Sequence, residues 1–168
     1  MKAFYMKDQK QFMNQLLKSE LFDHFLLAEA TIHGAISYSV DGHINREFFD
    51  AEELAALTAD GSEYLPFSHF RPICYELIRG KHTPLYMKFV FLLSPANAAK
   101  TLAVTDTGFS VEDVSGIFLN LTFRDGVMTL TTGVSYRTFT LDHSFDAAWD
   151  ALAAKFLSNH GISFDIPD

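Results

Sequence analysis

Between Leu26 and Val40 the chain alternates with a period of two. The even positions read Leu26, Ala28, Ala30, Ile32, Gly34, Ile36, Tyr38 and Val40. From Glu29 the odd positions read Glu29, Thr31, His33, Ala35, Ser37 and Ser39. Successive strand side chains point to opposite faces, so this pattern demands a long strand in a sheet with one dry and one wet face. "VDGH" then turns the chain. A two-residue Asp41-Gly42 turn would set even positions against odd. A three-residue turn, Val40 to Gly42, pairs Tyr38 with Ile44 and keeps Ile44 and Phe48 of a return strand on the dry face. It also predicts Gly42 at the left-handed position of a bulged turn.

The other segments supply helices and further hairpins. Lys7 to Leu17 reads as a first helix, with Asp8 as its cap and Phe12, Leu16 and Leu17 on one face. In "FFDAEELAAL" Asp50 and Glu53 form a capping box, Phe49 can staple onto Leu54, and Gly61 is the terminator. Pro72 and Gly80 bracket the short helix "ICYELIR". "LYMKFVFLL", Leu85 to Leu93, is apolar on both parities except at Lys88, which predicts a central strand covered on both faces. Ser94 and Pro95 open another short helix. Ile117, Leu119, Leu121 and Phe123 form one face of a strand, and an Asp125-Gly126 turn pairs Phe123 with Met128 and Leu121 with Leu130. Gly133 marks a bulge or second turn before "VSYRTFTL". Phe145, Ala148, Trp149, Leu152 and Phe156 line a long closing helix ended by Gly161, and Ile162, Phe164 and Ile166 suit a last strand.

Hairpins dominate over strand-helix-strand units. The expected fold is therefore α+β: a mainly antiparallel sheet of about six or seven strands, packed with short helices and one long C-terminal helix. At 168 residues and without a linker, residues 1–168 read as one domain. Seventeen phenylalanines mean that its core is filled with large rings. One cysteine, Cys74, excludes an internal disulfide framework. With no signal peptide in "MKAFYMKDQK", it points to the cytoplasm. The longest unbroken apolar run, Phe89 to Leu93, is too short to span a bilayer. A net charge of -8 argues against a general nucleic-acid binder.

That charge is uneven. Arg71, Arg79, Lys81 and Lys88 against Glu76 give the segment 71–88 a charge of +3, leaving -11 for the rest. "RGKHT" inside it is no phosphate loop: Tyr75 stands where the motif needs glycine, His82 follows Lys81, and a helix leads into a strand rather than the reverse. A plain anion site remains as an expectation, with Arg71, Arg79, Lys81, His82 and Lys88 as its candidates. The structural reading competes with it. Arg79 and Lys81 complement a helix C-terminus, and Lys88 inside an apolar strand needs a carboxylate.

Other chemistry finds no footing. None of the seven histidines falls in a metal-binding spacing, and Cys74 has no second cysteine, so no metal and no cofactor is implied. There is no G-x-S-x-G elbow, and the adjacent pairs Glu52-Glu53 and Glu112-Asp113 point apart. No catalytic residue emerges, and Glu29 is the least explained acid.

Three blocks, "FDHFLLAEATIHGAISYSVDGHINREFF", "PFSHFRPICYELIRGKHTPLYMKFVFLLSPAN" and "FLNLTFRDGVMTLTTGVSYRTFTLDHSFDAAWDALAAKFL", cover nearly the whole chain. They resemble a family of short proteins from anaerobic Gram-positive bacteria, a domain of unknown function. The resemblance implies one domain in a bacterial cytoplasm and transfers no activity, cofactor or site residue. Two functional expectations follow. The first is a small cytoplasmic binding or self-association module without catalytic activity, whose partner is a second copy or another protein, served by aromatic excess and exposed strand edges. The alternative is an enzyme or ligand-binding domain for an anionic small molecule that uses the segment 71–88.

Overall fold

The computed structural model describes residues 1–168. In chain order the elements are β1 (Ala3–Met6), α1 (Gln9–Lys18), β2 (Leu26–His33), β3 (Ser37–Asp41), α2 (Ala51–Leu57), α3 (Arg71–Ile78), β4 (Tyr86–Leu92), α4 (Pro95–Thr105), β5 (Val114–Arg124), β6 (Val127–Tyr136), α5 (Ser144–Asn159) and β7 (Phe164–Asp165). The strands form one sheet in the order β3-β2-β4-β5-β6-β1-β7, and every neighbouring pair is antiparallel. The fold is α+β. Its closing helix, α5, is 16 residues long and is followed by the two-residue β7.

The helix starts obey their local chemistry. Asp8 caps α1 by accepting from the Gln11 N–H at 3.0 Å, and Asp50 and Glu53 make the reciprocal capping box of α2. Ser94 caps α4, with Pro95 in its first turn. The Asp125-Gly126 turn has φ of 51° and 76°, and it pairs Phe123 with Met128 and Leu121 with Leu130.

Four expectations are corrected, three here and one at β4. The alternation from Leu26 to Val40 is not one strand. The chain turns at Gly34–Ile36, where the Gly34 N–H donates to the Ile36 carbonyl, and β3 folds back on β2 with Ala30 opposite Val40 and Ile32 opposite Tyr38. A three-residue turn leaves parity unchanged, so the pattern of an uninterrupted strand and of this hairpin are the same. The predicted return strand is also absent. Residues 42–44 instead bond to 63–65, through Ile44 to Glu63 and Leu65 to Gly42, and Arg46–Phe48 form a 3-10 turn with Phe48 exposed. Gly42 is needed for close approach rather than for a left-handed backbone: a Cβ there would lie 1.6 Å from the Leu27 carbonyl oxygen. Lastly, Gly133 makes neither bulge nor turn. It sits inside β6 opposite Phe118, and the irregularity lies at Ser115, between Val114 and Gly116 of β5.

β4 is central, between β2 and β5, but it is dry on one face only. Met87, Phe89 and Phe91 are buried, while Tyr86, Lys88, Val90 and Leu92 are half-exposed. Register carries the dry face across to Leu121 and Phe123 of β5, then to Leu130 and Met128 of β6 and Phe4 of β1. Phe12 and Leu16 of α1, Cys74 of α3 and Phe145, Trp149 and Leu157 of α5 cover it. Full burial of each large side chain stabilises by about 1.5–3 kcal/mol. Phe22, Phe67, Phe89 and Phe91 meet ring to ring, with Phe67 edge-on to Phe91 at 5.1 Å.

Two glycines test this account. Gly42→Ala is expected to lose about 3 kcal/mol or more of unfolding free energy, because backbone must move. Gly34→Ala, with nothing within 4 Å of its Cβ position, is expected to stay within about 0.5 kcal/mol of the parent. Urea unfolding of both variants checks the pair.

Candidate functional site

A cleft of about 660 Å³ lies between α1, α3 and one end of the sheet. Helical periodicity builds its first wall. With Phe12, Leu16 and Leu17 turned to the core, Lys10, Asn14 and Lys18, at four-residue spacing, share the exposed side of α1. The second wall is Tyr75 and Ile78 of α3, followed by Arg79, Gly80 and His82 of the exit segment. Gly80 has φ +143°, which lets the chain leave the helix sharply before Pro84 leads into β4. The floor is the end of the dry face: Leu17, Met87, Phe123 and Met128 are all buried.

The charges around this cleft have one sign. Lys10, Lys18, Arg79 and His82 line it, and no aspartate or glutamate does. In a chain with 21 acidic residues against 13 Lys and Arg, that is a marked segregation. Glu76 pairs with Arg79 at 2.9 Å, three residues back on α3, but both side chains are about 60% exposed. Such a pair contributes less than about 1 kcal/mol, so the guanidinium keeps donors available. The Lys18 ammonium stands 6.0 Å from the centre of the Tyr75 ring.

The five sequence-predicted candidates are dispersed. Arg71, at the start of α3, holds Asp23 with two bonds, 2.8 and 3.0 Å, and both side chains are largely buried. The Asp23 carboxylate raises the guanidinium's pKa above its ordinary value. Lys88 lies on the open face of the sheet and bonds Glu29 of β2 at 2.7 Å, an acceptor that raises its pKa. This partner also accounts for Glu29. Arg79 and His82 reach the cleft, and Lys81 is exposed in the exit segment. Lys10 and Lys18 were missed. Their eight-residue spacing, which puts both on one side of a helix, was visible in the sequence, but the packing of α1 beside α3 was not.

Nothing here resembles a nucleophile or a metal cage. Burial pushes the Cys74 thiol up to about 12, far from the reactive thiolate. No three His, Cys, Asp or Glu side chains gather as metal ligands. His33 packs at a tilt against Tyr86, and the His43 backbone N–H at 3.0 Å and ring at 2.6 Å bond Asp41 and lower its pKa.

Fold and cleft together define an antiparallel α+β protein with one helix-covered face and a cationic, apolar-floored groove. The chain belongs to a family of unknown function, DUF5721, whose model matches residues 15–165. No curated protein and no solved structure matches it. No helix is long and apolar enough to cross a membrane.

The two ion pairs are expected to differ. Arg71→Ala strands an 11%-exposed carboxylate and is expected to cost about 2–3 kcal/mol, whereas Lys88→Met, from a half-exposed pair, is expected to cost less than about 1 kcal/mol. Denaturant unfolding measures both. Cys74 is expected to resist thiol reagents at neutral pH until the chain unfolds. Its folded pKa lies above the ordinary 9.0, so its contribution is complete below pH 9.0 and is lost as pH rises toward 12. Cys74→Ala is expected to flatten that alkaline decline in a pH series of melts.

Proposed function

We propose that this chain is a binding domain for an anionic small molecule held in the cleft between α1 and α3. The observation that carries the reading is the lining: three Lys and Arg side chains, one histidine and no carboxylate, in a protein of net charge -8. A random share of this surface would bring acids with the bases. Arg79 offers a planar fork of donors to a phosphate or carboxylate, while Lys10 and Lys18 supply point charges from the facing helix. Arg71 and Lys88 act as structural cations in this reading, since each already has its carboxylate. The cytoplasm is the setting that goes with it, supported by the single buried, unpaired cysteine.

Thermal shift with phosphate and sulfate tests the proposal. Both anions are expected to raise the melting temperature of the parent and of Lys88→Gln. The double variant Lys18→Gln/Arg79→Gln is expected to lose about tenfold or more in affinity. An equal shift in all three proteins, or none in the parent, rejects the anion site.

A second reading, self-association, is favoured by the outer edge of β3. The Gly42 N–H donates to Ala28 of β2, and antiparallel bonds alternate, so Ser37, Ser39 and Asp41 turn their N–H and C=O groups outward. No lysine, proline or bulge guards that edge. A second copy pairing antiparallel about Ser39 would set Asp41 against the partner copy's Ser37 position, away from the other carboxylate. Light scattering is expected to show a concentration-dependent dimer that Ser39→Pro abolishes. The substitution removes an outward N–H and spares the β2–β3 ladder. A monomer at every concentration sinks this reading.

A further inference from the structure

We infer that the ligand of the cleft is a free single-chain amphiphile: an unbranched acyl or alkyl chain ended by a carboxylate or a phosphate. The inference rests on the anion reading above and adds to it the apolar half of the molecule. The lining is divided by depth. Lys10, Lys18, Arg79 and His82 are all exposed and stand at the mouth. Leu17, Met87, Phe123 and Met128 are buried at the floor, with Met13 and Ile78 half-buried on the walls. A bare inorganic anion would satisfy the mouth and leave the half-buried apolar walls, Met13 and Ile78, in water above the buried floor. A ligand that satisfies both must carry its charge at one end and its apolar surface behind it.

The kind of apolar surface narrows the class further. Three of the chain's five methionines, Met13, Met87 and Met128, line the cleft. Methionine is unbranched and polarizable, so these side chains can part along a linear chain and re-pack behind it at low cost. A nucleotide needs an aromatic platform and polar partners for its sugar. The ring on the wall, Tyr75, already lies beneath Lys18, and no carboxylate is present to hold ribose hydroxyls. A sugar phosphate needs several free amides or hydroxyls. Gln9 already donates its side-chain amide to the Gly126 carbonyl, which leaves one amide, Asn14, and the hydroxyls of Thr83 and Tyr75 in that polar set. A volume of about 660 Å³ suits one small-molecule chain.

Titration calorimetry with the sodium salts of acetate, butyrate, hexanoate, octanoate and decanoate, and with inorganic, butyl and octyl phosphate, tests the inference. Affinity is expected to rise about tenfold for each pair of methylenes added through the medium-chain members. Met13→Gln and, independently, Ile78→Gln are expected to flatten that slope while leaving the short anions unchanged. Arg79→Gln is expected to weaken every member alike. Two substitutions on half-buried positions guard against one of them failing to fold, and circular dichroism verifies each. If short anions bind and Arg79→Gln weakens them, but affinity is flat with chain length, the amphiphile inference falls and the anion reading stands. If no anion binds, both fall. Binding to vesicles of anionic phospholipid with no binding of the monomeric series also overturns the inference, because the site would then read a bilayer surface.

Discussion

The packing of β4 against the phenylalanine cluster is the constraint from which the rest of the molecule follows. Met87, Phe89 and Phe91 project to one side of the middle of the sheet, and that side collects α1, α3 and α5. Phe22 and Phe67, from segments outside the strands, reach the same rings. Burying such rings is the largest favourable term the chain has, so the dry face is decided there and transmitted by register to the neighbouring strands. The opposite face, with Glu29, Thr31, Lys88 and Thr122 in adjacent strands, is left half-open.

The cleft is a consequence of the same constraint. Met87 stands on the dry face beyond Phe89 and Phe91, toward the end of β4 where the exit segment of α3 arrives. There the base of the cleft between α1 and α3 is formed by the buried end of the dry face. The core and the floor of the cleft are therefore one continuous surface, with Leu17, Phe123 and Met128 belonging to both. The positive rim arises independently, from the polar side of α1 and the end of α3. A mouth of one charge above an apolar floor is what results when the helices that roof a core carry bases outward.

The distribution of charge separates structural cations from available ones. Arg71 and Lys88 lie where the surroundings are partly desolvated, and each is held by an aspartate or glutamate from a distant strand or loop. Arg79, Lys81 and His82 lie on an exposed exit segment, where water solvates the charges and Arg79 has only the exposed Glu76 beside it. Reading 71–88 as one basic segment joined groups that face different directions. Lys88 and Arg79 are nine residues apart in sequence, yet one lies on the open sheet face and the other at the cleft between the helices.

Much of the local structure was legible because its causes are local. Asp8, Asp50 and Ser94 cap their helices by reaching a neighbouring N–H, and Asp125-Gly126 selects its tight turn through backbone freedom. The parity of β3 and β5 was legible for the same reason, and that of β2 only beyond its bulge at Ala28, which buries Leu27 against the alternation. The hairpin at Gly34 was not, because a three-residue turn preserves parity and leaves no trace in the alternation. β1 and the fate of residues 42–44 were not, because each is decided by a partner far along the chain: Ala3 opposite Thr131, and Ile44 bonded to Glu63. By itself the sequence determined the α+β class, the N-terminal caps of α1, α2 and α4, the acidic balance and the basic bias of 71–88. Only the tertiary structure decided which bases converge, bringing Lys10 and Lys18 beside Arg79 and His82 while turning Arg71 to Asp23 and Lys88 to Glu29. The physical reason is that helix and strand periodicities place side chains on faces, whereas which faces meet is settled by burying the rings at the centre of the sheet.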